Sequence, residues 1–183
     1  GAPPTPTWAL TGGDWRVIAE ELVGKNSGTS AWTPTGAVTG DATWTDYRVS
    51  LRFQVRALGS DHRDGPWIGF RYTTPGSCYS LDFQRGRVTL HKAHQNASSG
   101  DENPLAVAPW AADREPHEVT ITVRGPHITV ELDGQRIMDL TDEEILGVPP
   151  VLSGGLCLSA RRWENSVGDT VVAFDDVRVQ RLD

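Results

Sequence analysis

Indole rings and hydrogen-bonding side chains gathered on one surface are the chemistry of sugar recognition, and this sequence holds the residues for it. A sugar ring offers apolar C–H faces that stack on indole, and hydroxyls that need polar partners. Ligand sites commonly combine an aromatic floor with a few convergent polar groups. Seven tryptophans occur in 183 residues. Trp buries a large apolar area, so Trp15 and Trp44 are assigned to the core. Trp67, Trp110 and Trp163 differ, because they adjoin the polar stretches 61–66, 103–116 and 161–169. Gln54, Arg71, Asp82, Gln84 and His91 fall on the outward phase of alternating segments. Any one of them is explained as solvation of an exposed sheet face. As a set with the three tryptophans, they are expected to bind a ligand.

Other reactive residues are less well arranged. His91 and His94 are three apart on one strand, which puts them on opposite faces and does not suit a shared metal. His62, His117 and His127 are scattered, and no Ser-His-Asp set is recognisable. Asp142-Glu143-Glu144 reads as surface charge on a short helical turn over 141–146, with Thr141 as its cap. Cys78 and Cys157 each sit in a strand on the polar phase. Two readings stay open: unpaired thiols, or a disulfide between neighbouring strands on a solvent-facing surface, which would suit secretion. No CxxC or paired His supports a two-Cys metal site. Asn96-Ala97-Ser98 fits a glycosylation sequon.

The elements that must position these groups are strands. In 117–123, Val119, Ile121 and Val123 share one face and Thr120 and Thr122 the other. Ile128, Val130 and Leu132 continue the alternation up to Asp133-Gly134, the strongest short hairpin signal because both turn residues need positive φ. Segment 47–56 is a long strand with Tyr47, Val49, Leu51, Phe53 and Val55 inward. Further strands are expected at 67–72, 78–83, 87–92, 154–160 and 170–181. Segment 93–116 reads as one long irregular loop, a form that is usually functional or disordered.

Length and charge narrow the classes. The chain suffices for one domain with a substantial core. Residues 1–6 are expected to be a linker or a remnant of tag removal, with a single domain over 7–183. The net charge of −7 carries no basic stripe, so nucleic acid is not an expected partner. No apolar run approaches the roughly 20 residues of a membrane-spanning helix, so no membrane partner is expected. The expectation is a module of a larger chain, secreted or extracytoplasmic.

In order, WTDYRVSLRFQV, IGFRY, YSLDF, RVTLHK, HEVTITVRGPHITVELDGQRI, GGLCLSA and VAFDDVRV resemble the concanavalin A-like lectin/glucanase jelly roll. The likeness runs from about Trp8 to the C-terminus and is nearest the laminin-G-like and carbohydrate-binding branches. It implies an all-β sandwich of two antiparallel sheets, six or seven strands each, one of them concave and carrying the ligand. Retaining glycosidases of this superfamily carry Glu-x-Asp-x-x-Glu on one strand. Glu131-Leu132-Asp133 begins that pattern, but Arg136 stands where the last acid belongs. The 3-keto-disaccharide hydrolase domain is similar at the first and last of these segments, while 67–71 and 78–82 depart from it. Asp175-Asp176 resembles the superfamily's closing Phe-Asp-Asp, where an Asp helps hold a structural Ca²⁺; Glu20 or Asp14 is the expected partner. No cofactor is required.

The expected function is a non-catalytic carbohydrate-binding module, taking an oligo- or polysaccharide and accessory to a secreted glycoside-active enzyme. One alternative is a hydrolase of the 3-keto-disaccharide kind, with Asp82, His91 or Glu131 as acid or base. The other is a laminin-G-like protein-interaction module.

Overall fold

The computed structural model describes residues 7–27 and 36–183. Two antiparallel sheets pack face to face. The first runs β1 (Ala9–Leu10), β4 (Gly36–Thr39), β14 (Gly155–Arg161), β6 (Gly65–Thr74), β7 (Ser77–Gln84), β8 (Gly86–His94) and β10 (Ala106–Trp110), with β9 (Ala97–Ser98) paired to β8. The second runs β13 (Gln135–Thr141), β12 (His127–Leu132), β11 (Pro116–Arg124), β5 (Tyr47–Ala57), β15 (Thr170–Arg181), β3 (Glu21–Asn26) and β2 (Asp14–Ile18). Residues expected to lie in a linker at 1–6 fall outside the described residues.

Alternation built both layers. Tyr47, Val49, Leu51, Phe53 and Val55 of β5 are buried, and Val119, Ile121 and Val123 of β11 beside them. They meet Ile68, Phe70, Tyr79, Leu81, Phe83, Val88 and Leu90 from the first sheet. Asp133 and Gly134 both take positive φ, 51° and 77°, and close the β12–β13 hairpin as expected.

Three expectations are corrected. The stretch 93–116 is not one irregular loop, because β9 and β10 extend the first sheet across it. Arg71 does not face outward. The β6–β7 register slips between Phe70 and Thr74, Arg71 takes φ 46°, and its side chain turns inward. A bulge moves every later side chain to the opposite face, so Tyr72 joins the outer face instead. Nor is Asp142 surface charge, and the helical turn does not start at Thr141. Strand β13 runs through Thr141, and a single 3₁₀ turn follows at Ile145–Gly147.

Asp142 is fully buried because it has a cation and two donors. The Lys92 ammonium lies 2.7 Å from it, the Tyr79 hydroxyl donates at 2.5 Å, and the Ile145 N–H donates at 2.7 Å. Lys92 Nζ also donates to the carbonyls of Ile145 and Val148. Arg71 continues this polar plug, donating to the carbonyls of Gly125 (2.6 Å) and Val151 (2.9 Å), while its own N–H donates to the Tyr47 hydroxyl. The plug ties the irregular crossover between β13 and β14 to both sheets.

On the second sheet, His117 donates through both ring nitrogens, from Nδ1 to Asp133 (2.8 Å) and from Nε2 to Asp113 (2.9 Å). Burial pushes its pKa down, but the two carboxylate hydrogen bonds and their charge outweigh it, and the net shift is upward from 6.5. The imidazolium is therefore the stabilised form. That stabilisation is complete below the unfolded value and is lost as pH rises through the raised folded value.

Two outcomes are expected. Lys92→Met, which removes the ammonium and leaves Asp142 buried and unpaired, should lower unfolding free energy by about 3–5 kcal/mol in urea titration. In thermal melts, the advantage of wild type over His117→Gln should be greatest below about pH 6.5 and shrink at higher pH.

Candidate ligand-binding cleft

Strands β6, β7 and β8 are buried on both faces. The inner face is apolar, but the outer face carries Ser80, Asp82, Gln84, Thr89 and His91, all buried. An exposed, solvated sheet face is thus not what these residues form. Loops fold over them and leave a cleft of about 340 Å³, lined by Trp67, Ser80, Asp82, His91, Ser159, Arg161, Trp163 and the loop 98–101.

The wall over β14 is zipped to its neighbour by a buried carboxylate. Asp64 accepts the Trp163 N–H at 2.7 Å and the Ser166 hydroxyl, and Ser60 and Val167 exchange two further hydrogen bonds. Arg63 is held by Asp61 through two bonds of 2.8 Å, and its guanidinium lies 3.8 Å above the Trp163 ring. The Arg63 hydrogen bond holds the Asp61 carboxyl well below the usual carboxylate range. Arg161 approaches the same ring at 4.8 Å and pairs with Asp82. Burial, then repulsion from Arg63, brings the Arg161 pKa down to about 10, so it remains a cation at neutral pH.

On the floor, Asp82 Oδ1 accepts the Ser80 hydroxyl at 3.0 Å and Oδ2 takes Arg161. His91 Nε2 lies 3.9 Å from Asp82 Oδ2 and 3.7 Å from Asp101 Oδ1. Burial lowers the His91 pKa, so the imidazole is neutral at pH 7. Trp67 lies across Gly69: a Cβ there would fall 2.7 Å from the indole, so only glycine lets the ring lie against the strand. Tyr72 meets that indole edge-on at 6.3 Å.

Four of the eight expected ligand residues converge here: Trp67, Asp82, His91 and Trp163. Gln84 sits one step behind, fully buried, donating to Asp101 at 2.7 Å and accepting from Arg87. The other three are elsewhere. Gln54 is on the second sheet, donating to the Arg114 carbonyl. Arg71 is inside the sandwich. Trp110 is on β10 in the core, packed edge-on to Phe83 at 5.3 Å, not in a polar loop. Arg161, Ser80 and Asp101 were missed. Ser80 and Arg161 follow the same outward phase as Asp82 and Cys157, a readable signal. Asp101 lies on a turn with no periodicity to mark it.

Remaining candidates disperse. Glu131 is on the second sheet beside Arg48 and Arg136, so it cannot share chemistry with Asp82 and His91. Asp175 pairs with Arg52 at 3.1 Å. Glu20 is exposed at the β2–β3 turn with φ 71°, and Asp14 pairs with Arg16. Cys78 and Cys157 are free thiols. Strand β6 stands between their strands, so they are not on neighbours, and they are buried with Trp67 and Tyr72 rather than solvent-facing.

No family model matches the chain, and no curated protein matches it. Solved structures do. The carbohydrate-binding module CBM66 from Bacillus subtilis superposes with TM-score 0.70 at 16% identity, over 94% of each chain. A candidate glycosyl hydrolase from Parabacteroides distasonis gives 0.59 at 15% identity, over 96% of this chain and 89% of that one. A family 7 alginate lyase, A1-II′, solved with its product, gives 0.65 at 10% identity, over 92% and 83%. At such identities the likeness is one of fold. The chain has the concanavalin A-like jelly-roll β-sandwich.

Burial pushes both thiols up to about 12. Native protein should therefore show no fast-reacting thiol toward a disulfide reagent near pH 8, and two per chain in guanidinium.

Proposed function

We propose that the chain is a carbohydrate-binding module, and that the cleft over β6, β7, β8 and β14 holds one end or one short stretch of a saccharide. The observation that carries this reading is the buried polar floor. Ser80, Asp82, His91 and Ser159 stand beside the indole of Trp67, with an Asp82–Arg161 pair at the wall. Carboxylate and guanidinium side by side offer acceptor and donor to neighbouring hydroxyls, and the indole offers an apolar face. The volume lies at the small end of ligand pockets, roughly 300–1,000 Å³. Similarity of fold to CBM66 over nearly the whole of both chains agrees with this reading. The module would serve a secreted glycoside-active enzyme, raising its local concentration on a polysaccharide by tethering.

A second reading rests on a distance. Asp82 and Asp101 bring carboxylate oxygens within 4.8 Å of each other in one cleft, and two carboxyls flanking one bond are what a glycosidase uses. Asp82 is already engaged by Arg161 and Ser80, which suits an acceptor of hydroxyls better than a free nucleophile.

A glycan array probed with wild type, followed by calorimetry on the best ligand with Asp82→Asn, tests both. Binding weakened by about tenfold or more in the variant is expected, the worth of one charge-assisted hydrogen bond. Wild type that binds no saccharide, or a variant that binds as well as wild type, overturns the first reading. Released product from a bound glycan establishes the second.

A further inference from the structure

We propose that His91 Nε2, Asp82 Oδ2 and Asp101 Oδ1 form a binding site for a late first-row divalent cation of the Zn²⁺ kind. Among the described residues this is the one group of three such side chains whose donor atoms all lie within 4.8 Å of one another. Two of the separations are 3.9 and 3.7 Å. Donors around a tetrahedral Zn²⁺ with bonds of about 2.0–2.2 Å stand roughly 3.3–3.6 Å apart. The two separations at the imidazole close by a few tenths of an ångström, and the carboxylate pair, within 4.8 Å, by at most about 1.5 Å, a movement open to Asp101, which sits on the turn after β9 and is a quarter exposed.

The surrounding hydrogen bonds prepare each donor. Ser99 Oγ accepts the Lys92 N–H at 3.0 Å and lies 3.2 Å from His91 Nδ1. Donation from Nδ1–H to Ser99 leaves the lone pair on Nε2. The neighbouring Thr89 hydroxyl, 2.9 Å from Nε2, has a second acceptor in the Asp82 carbonyl at 3.4 Å, so it can turn away. Gln84 donates to Asp101 Oδ1 and Ser80 donates to Asp82 Oδ1. Metal-binding histidines and carboxylates characteristically carry such outer partners. One imidazole with two carboxylates suits Zn²⁺ and its neighbours, while Ca²⁺ and Mg²⁺ prefer oxygen alone. Three protein ligands leave a position for water or a ligand oxygen.

Arg161 is the built-in competitor. Its guanidinium occupies Asp82 Oδ2, the oxygen the cation would take. Removing that charge should therefore strengthen metal binding, the opposite of what a merely structural Arg161–Asp82 pair implies.

The test is calorimetry of tag-free, chelator-stripped protein with ZnCl₂, with Co²⁺ absorption as a spectroscopic check. One equivalent is expected to bind. Asp101→Asn, which keeps an Oδ1 to accept from Gln84, should weaken it by about tenfold or more, and His91→Gln likewise. Arg161→Gln should tighten it, with thermal melts confirming that each variant is folded. Absence of saturable binding in wild type, binding indifferent to both His91→Gln and Asp101→Asn, or weakening in folded Arg161→Gln overturns the proposal. None of these readouts uses a saccharide, so the outcome is separate from that of the carbohydrate reading.

Discussion

A buried polar group must find a partner, and in this protein that requirement acts on a whole sheet face. Polar side chains taken from water without hydrogen bonds lose a few kcal/mol each. Ser80, Asp82, Gln84, Thr89 and His91 are buried on the outer side of β7 and β8. Every one of them is paired, largely within the sheet and with the loops that cover it: Asp82 with Arg161, Gln84 with Asp101, His91 with Ser99 and Thr89. The loops in turn depend on Asp64, which closes the two segments around Trp163. The cleft is what this arrangement leaves: the space over the floor that the covering loops do not fill.

The same requirement governs the opposite face of the sheet at one end of the sandwich. Arg71, Lys92 and Asp142 hold a place in an apolar core only because nearly all their polar atoms are paired there, Arg71 Nε being the exception. The bulge at Arg71 delivers the guanidinium to the carbonyls of Gly125 and Val151, which no strand ladder satisfies. Lys92 does the same for Ile145 and Val148. Backbone in an irregular crossover is thereby paired by side chains rather than by water. One slip of register has two results, since Tyr72 is carried outward to pack on Trp67 and the thiols. The floor's aromatic corner and the core's polar plug are thus set by a single bulge.

Period-two alternation made the two layers legible. It marked the inward residues of β5, β11 and β12, the Asp133-Gly134 turn, and the outward placement of Asp82 and His91. It failed where the period breaks. Nothing local in Phe70-Arg71-Tyr72 announces a bulge, because the preference for it comes from carbonyls distant in sequence. The 93–116 stretch hid β9 and β10, since strands of two and five residues with Pro109 and neighbouring loop residues carry too few alternations to register. Asp142 looked like surface charge because its counter-ion is 50 positions upstream. Burial of the outer face was equally invisible: an outward phase reads as wet unless one knows which loops return over it.

On the carbohydrate-binding reading proposed above, the pairing of charges at this site fits recognition better than turnover. A general acid in glycoside cleavage needs a carboxyl kept protonated by an apolar, unpaired setting. Asp82 has the reverse, a guanidinium and a hydroxyl on its two oxygens, and the imidazole beside it is neutral. Such a floor is preorganised before any ligand arrives, so little ordering opposes binding. What remains adjustable is Arg161, whose charge sits between Asp82 and the face of Trp163. A hydroxyl that accepts from Arg161 while donating to Asp82 would insert into this pair without leaving either charge unpaired, whereas a cation must push the guanidinium aside. The two classes of occupant therefore place opposite demands on one residue.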